Sequence, residues 1–326
     1  MTTTPLQLDN FKHPWPLYLY LLIQIYFVRS LAALEVYLTD KLRPQVGDDV
    51  TVEDAKIASR DDGRRIRVQI YKPKDLPEGP VPVHINVHGS GFCIPQYFGN
   101  SRWPCYLIAS KLKCIVLDCD YRKAPENPFP RGRNDIVDVM GWVLSQPQRF
   151  DTSRISVSGF SAGGNVALSA ASEFGPERIC SATTFYAPFD ATSHEARHGI
   201  LVSPNPNFRS GVVLLGWVFR ALFSSYLPPG QALDDPRVSL VFMDPARLPH
   251  HMLLICGDAD SMYNESIKMQ THIMKDGSDV QKANLQLHIV KDEAHAFDEQ
   301  CKTPESIAVR DEAFQLMIDT IRRSWN

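Results

Sequence analysis

The chain has 326 residues, 44% of them hydrophobic and 22% charged, which suits one large α/β domain or two smaller ones and excludes a disordered chain. Its formal net charge is -3 with acidic and basic residues interspersed, so no nucleic acid or other polyanion is expected as a partner. Seven cysteines, an odd number without a C-x-x-C pair or zinc spacing, point to a reducing, cytoplasmic setting and offer no metal site.

From Leu17 to Val28 the chain is almost wholly apolar, broken by Gln24 and closed by Arg29. That run is short for a membrane span. Pro14 or Pro16 can start a helix, the apolar pattern continues through Leu31, Leu34 and Leu38, and Arg43-Pro44 ends it. A buried or lid helix is the expectation. Attachment to a membrane surface is the second reading, and a cleaved signal or an anchor the third. The single sequon, Asn264-Glu265-Ser266, is weak evidence for secretion.

Thr51–Ser59 and Arg65–Tyr71 read as a hairpin around Asp61-Asp62-Gly63, and Val83–His88 as a third strand. A helix Tyr106–Lys113, a strand Cys114–Asp118, a helix Asp135–Ser145 and a strand before Ser161 follow, then a helix Gly163–Ser172 and a strand Ser181–Tyr186. From about Asp190 to Asp234 the rhythm breaks into a Pro-, Ser- and Gly-rich segment carrying the apolar run Val212–Phe223, an expected insertion. Strand Met252–Cys256, helix Glu265–Lys275, strand Leu285–Val290 and helix Pro304–Arg323 restore the alternation. Strands alternating with helices predict a mostly parallel sheet covered on both faces.

Gly159-Phe160-Ser161-Ala162-Gly163 matches G-x-S-x-G, a pattern that can hold a serine on a sharp strand-to-helix turn. A serine hydroxyl needs a base to take its proton and an acid to orient that base. His295, in a loop after the last predicted strand, is the best base among ten histidines. For the acid, Asp260 and Asp258 compete in Gly257-Asp258-Ala259-Asp260, and Glu265 is a third candidate that reads better as a first-turn helix residue. His88-Gly89-Ser90-Gly91 offers backbone amides for an oxyanion, with a further one at Ala162.

His88-Gly89-Ser90-Gly91-Phe92, the run Asp120–Pro130 (DYRKAPENPFP), the GFSAGGN run, the Gly257–Asp260 loop and Glu293-Ala294-His295-Ala296-Phe297 come in this order. Together, from roughly Val81 to the carboxyl terminus, they resemble the hormone-sensitive-lipase-like branch of the α/β-hydrolase family. The resemblance implies an eight-stranded, mostly parallel α/β-hydrolase fold with a helical cap. It implies Ser161 as nucleophile, His295 as base and then acid, Asp260 as orienting acid, and the amides of Ser90, Gly91 and Ala162 as oxyanion hole. His88 and the Tyr121–Glu126 loop would buttress that hole. Two departures stand out: Ser90 replaces the middle glycine of HGGG and is expected to narrow the acyl pocket, and Phe160 replaces a common acid and puts apolar surface near the elbow.

The expected organisation is a cap segment at 1–48, core at 49–189, an inserted cap segment at 190–234 and core at 235–326. The expected activity is hydrolysis of a small or medium lipophilic ester without metal or organic cofactor. An amidase, acyltransferase or cyclising enzyme with the same triad is the alternative. A ligand-binding protein is the third reading; plant gibberellin receptors resemble this family but lack the catalytic histidine, which this chain retains.

Overall fold

The edge of the sheet forms first in the chain. In the computed structural model, which describes residues 13–193, 198 and 205–326, β1 (Val50–Ala58) pairs antiparallel with β2 (Arg65–Pro73) around Gly63, whose φ of 72° suits glycine. β2 then lies antiparallel to β4 (Ile115–Cys119). From there the pairing is parallel through β3 (Val81–Val87), β5 (Phe150–Phe160), β6 (Ser181–Phe185), β7 (His251–Gly257) and β8 (Leu285–Val290), giving the order β1-β2-β4-β3-β5-β6-β7-β8.

Central strands β3, β4 and β6 are buried along their whole length, as strands covered on both faces must be. Polar residues inside them are paired with one another. Ser156, His84, Ser158, Asn86 and Asp118 form a hydrogen-bonded ladder across β5, β3 and β4, each contact between 2.7 and 2.8 Å. A one-residue slip of register would bury every one of these groups unpaired.

Helices α3 (Arg131–Leu144) and α4 (Ala162–Ala171) share one core, and α2 (Arg102–Leu112) with the carboxyl-terminal helix Pro304–Ser324 packs the other face. The amino-terminal α1 (Trp15–Thr39) lies against α5 (Gly216–Tyr226), with Phe27 and Trp217 rings 6.4 Å apart and His13 bonded to the Ser224 carbonyl. α6 (Tyr263–Asp276) follows β7. A short α7 (Asp279–Asn284), absent from the sequence reading, precedes β8 and is closed by a Ser278/Gln281 capping box; the carboxyl-terminal helix is α8. Residues 1–12 of the expected amino-terminal cap segment, and 194–197 and 199–204 of the expected insertion, lie outside the described residues.

Candidate active site

β5 runs straight into Ser161, which adopts φ 50° and ψ -126° before α4 begins. Positive φ on a residue with a side chain is strained, and the surroundings must impose it. Here backbone meets backbone: a Cβ on Gly159 would lie 2.3 Å from the Gly163 oxygen, and one on Gly163 would lie 2.2 Å from the Val87 oxygen. Both glycines of the motif are required to bring β5, α4 and the end of β3 together beneath the serine.

The parallel strands deliver three further loops to the same edge. His295 Nε2 lies 2.9 Å from Ser161 Oγ, and His295 Nδ1 lies 3.0 Å and 3.2 Å from the two oxygens of Asp260. Of the three competing acids, Asp260 is the one that reaches the imidazole. Asp258 accepts instead from the Asp292 amide and from Asn205, bracing the loop after β8. Glu265 sits in the first turn of α6, where it accepts from the amides of Phe189 and Asp190 at 2.6 and 2.8 Å and fastens the point where the chain leaves β6.

Asp260 is buried, and its Oδ1 also accepts from the Met262 amide at 2.8 Å. Burial by itself would lower the proton affinity of His295. The charge and hydrogen bond of Asp260, with Asp298 and Glu299 behind it, outweigh that and raise the imidazole above its ordinary value. Asp260 therefore holds Nδ1 protonated and leaves Nε2 as the acceptor toward Ser161.

Gly91 and Ala162 line one cavity with Ser161 and His295, and their amides, like that of the adjacent Ser90, meet no protein acceptor among the described residues. Each belongs to a planar peptide whose carbonyl is held from behind. The Gly89 carbonyl accepts from His88 Nδ1 at 2.9 Å. The Ser90 carbonyl accepts from the Cys93 and Ile94 amides at 3.0 and 2.9 Å, and the Ser161 carbonyl from the Gly164 amide at 2.9 Å. Such an arrangement can bind an oxyanion without reorganising.

Between these groups is a narrow cavity of about 40 Å³, lined among others by Phe92, Pro188, Leu214, Phe219, Leu222 and Met262. Larger cavities of about 130 and 380 Å³ lie elsewhere, each with several charged residues in its lining, and neither contains the serine. One side chain is aimed differently from the expectation. Ser90 does not narrow it, because its hydroxyl turns away to Tyr121 at 2.6 Å. Phe160 does not line it either; its ring stacks on Phe185 at 4.6 Å and meets Phe314 on the α8 face.

Sequence reasoning missed three supports. Tyr186, directly after β6, lays its ring 4.7 Å from the His295 ring. The returning end of the insertion pairs with the histidine loop through Val212 N to His295 O at 2.7 Å and Ala294 N to Ser210 O at 3.0 Å. Arg29, taken as the end of an apolar run, is buried within α1 and grips Glu126 with two bonds while donating to the carbonyls of Cys93 and Ala124. A buried cation in an apolar helix is a signal that a partner carboxylate exists, though not of which one.

A family model described as the alpha/beta hydrolase fold matches residues 84–299. Tuliposide A-converting enzyme 2, chloroplastic, of Tulipa gesneriana is 31% identical over 151 residues, covering 41% of this chain and 39% of that enzyme. The match thus spans about two fifths of that relative. Ethyl acetate hydrolase of Pseudomonas putida is 23% identical over 236 residues, 71% of this chain and 72% of its own length. The structure of a hyperthermophilic esterase from the archaeon Pyrobaculum calidifontis superposes with a TM-score of 0.76 at 22% identity, over 94% of this chain and 97% of that one, a likeness of fold. With the family model covering well over half of its length, the chain belongs to the α/β-hydrolase family, in its hormone-sensitive-lipase-like branch.

Proposed function

We propose that the protein is a serine carboxylester hydrolase acting through an acyl-enzyme; the observation that carries this reading is the chain Asp260, His295, Ser161 facing three unengaged amides. As Ser161 Oγ bonds to the ester carbonyl carbon, His295 Nε2 takes its proton, and the carbonyl electron pair moves onto oxygen. The amides of Ser90, Gly91 and Ala162 hold that oxyanion. On collapse the bond to the alcohol oxygen breaks, and the imidazolium returns the proton to the leaving group. Water then enters by the same route, with His295 taking its proton, and the acid departs as Ser161 is restored. The cycle needs no metal or organic cofactor.

The amino-terminal segment and the insertion act as the cap, and their apolar side chains select a short lipophilic acyl or alcohol group, at about 0.8 kcal/mol per buried methylene. Labelling with a fluorophosphonate and turnover of p-nitrophenyl esters of graded length test this. Labelling and turnover abolished by Ser161→Ala are expected; a wild type that neither labels nor turns over any ester would refute it. Likeness to the tuliposide A-converting enzyme supports a second reading, in which the acyl-enzyme passes to an acceptor other than water. Product analysis with added alcohols and amines separates the two.

The outer face of α1 supports contact with a lipid surface. Its inner stripe, Leu21, Ile25, Val28 and Ala32, is buried, yet Trp15, Tyr20, Ile23, Leu31, Leu34 and Tyr37 are each more than half exposed. Along Trp15–Thr39 the charged side chains are Arg29, paired with Glu126, and Glu35, which accepts from Tyr97 and Gln300. With one face packed on the protein, the exposed apolar face of α1, with aromatic residues spread along it, suits contact with a bilayer surface. The seven unpaired thiols, five of them buried, support a reducing, cytoplasmic side. Flotation with liposomes is expected for the wild type and lost in Ile23→Asp/Leu34→Asp; a wild type that stays with the soluble fraction, or elutes as a dimer that the double substitution dissolves, refutes the lipid reading.

A further inference from the structure

Behind Gly89-Ser90-Gly91 lies a buried ammonium that the cycle above does not use. Lys123 is 6% exposed, and its Nζ meets Asp120 Oδ1 at 2.8 Å, the Tyr121 carbonyl at 2.5 Å and His88 Nε2 at 3.2 Å. An ammonium has three N–H bonds, so all are engaged. His88 is fully buried, and its Nδ1 faces the Gly89 carbonyl at 2.9 Å, a contact that only an Nδ1–H can make. Burial first, then the Lys123 charge, push this imidazole down to about 4, so it is neutral and carries a single proton. With the proton on Nδ1, Nε2 must accept; the Asp120 oxygen 3.4 Å away has nothing to donate, and Lys123 has.

Because the peptide between Gly89 and Ser90 is planar, fixing the Gly89 carbonyl fixes where the Ser90 N–H points. We propose that Lys123 is a positioning residue: by donating to His88 Nε2 it sets the tautomer of His88, which holds the Gly89 carbonyl and so aims the Ser90 amide at the oxyanion. This rests on the assignment of that amide to the oxyanion hole. The carbonyls behind the Gly91 and Ala162 amides are held by backbone donors, so of the three only the Ser90 amide depends on a titratable side chain.

Burial, opposed by Asp120, pushes Lys123 down to about 8. On deprotonation, two N–H bonds serve three acceptors, and the longest contact, to His88, is released. Asp120 and Asp135 are the carboxylates acting on Lys123; against its burial, the His88 hydrogen bond and the Lys123 charge hold Asp120 below the usual carboxylate range, and Asp135 is gripped by Arg64 and Arg122. Tyr121, whose ring centre lies 3.4 Å from Nζ, and Cys93 keep their protons because burial pushes them up. Arg29, Arg64, Arg122 and Glu126 line the adjoining cavity with Lys123.

The test measures kcat and KM for a p-nitrophenyl ester from about pH 6 to 10 in wild type, Lys123→Met and Asp120→Asn, together with the His88 tautomer by ¹⁵N-histidine NMR. Loss of a whole oxyanion donor costs about 10² to 10³ in rate. A misaimed donor is expected to cost at least about tenfold in kcat with KM nearly unchanged. Lys123→Met should also lose the alkaline limb and move His88 to the Nε2–H tautomer. Asp120→Asn should shift the alkaline limb to lower pH, since it removes the charge that supports the ammonium. Wild-type kcat and pH profile in Lys123→Met, an unmoved limb in Asp120→Asn, or an Nδ1–H His88 persisting without the lysine would each overturn the proposal. Should the wild type hydrolyse no ester, the catalytic reading fails, while the NMR arm still decides whether Lys123 sets the tautomer.

Discussion

Replacing Asp260 by asparagine tests the site most sharply, because the structure dictates which way the new amide must face. Oδ1 of Asp260 accepts from the Met262 amide at 2.8 Å, a backbone donor that cannot move without disturbing the start of α6. The asparagine carbonyl must take that position, which turns its NH₂ toward His295 Nδ1. Nδ1 then has to accept, the proton moves to Nε2, and Nε2 can no longer take the proton of Ser161. The same tautomer inversion costs about 10⁴ in kcat in serine proteases, or about 5 kcal/mol of transition-state stabilisation. Folding should be little affected, since shape is conserved. Asp258→Asn perturbs only the bond to the Asp292 amide and the contact with Asn205, so it should cost less than about tenfold through loop loosening. Steady-state kinetics with a p-nitrophenyl ester, alongside thermal melts of both variants, reads the comparison. A loss below about tenfold for Asp260→Asn, or a greater loss for Asp258→Asn, would refute this account of the site.

The remaining expectations are simpler. Because His295 must be neutral to act as base and its proton affinity is raised, kcat/KM should fall with decreasing pH through a midpoint above the ordinary histidine value; a midpoint below about 6.5 contradicts the Asp260 pairing. Gly91 has φ 51°, and a Cβ there would sit 2.7 Å from Leu222 Cδ1, so Gly91→Ala should destabilise by about 1 to 2 kcal/mol and exclude longer acyl chains. Adding Leu222→Ala should restore chain length without restoring stability, as chain-length profiles and melts of the double variant would reveal. Arg29→Met strips Glu126 of its partner and two buried carbonyls of their donor, which should cost about 2 to 3 kcal/mol; an unchanged melting temperature would mean that α1 is not integral to the fold.

Much of the site was readable before any coordinates, and the reason differs by residue. Ser161 was visible because the turn that exposes it has no room for a side chain at 159, where a Cβ would meet the Gly163 backbone, or at 163, where it would meet the end of β3. His295 was visible because it follows a strand-like run at the right place in chain order. Asp260 and Asp258 were inseparable on residue pattern alone, because they lie two apart in one loop and nothing local says which carboxylate turns inward. The resemblance favoured Asp260; the geometry puts it against His295. The direction of Ser90 was not legible, since it depends on Tyr121, and neither was the packing of Phe160 on Phe185; the linear order identifies neither neighbour.

What the amino-acid sequence by itself determined are the properties carried by short-range physics: the alternation of strand and helix, the hairpin at Gly63, the glycine-bounded turn at Ser161 and the apolar character of the first helix. The tertiary structure alone decided which side of α1 is covered, that the insertion returns to pin the His295 loop, and that Arg29 meets Glu126 and Lys123 meets His88. Periodicity and turn chemistry act between residues a few positions apart and leave their mark in composition. A pairing such as Ser161 with His295, separated by 134 positions, exists only once the sheet has closed and the burial of every intervening side chain has been settled together.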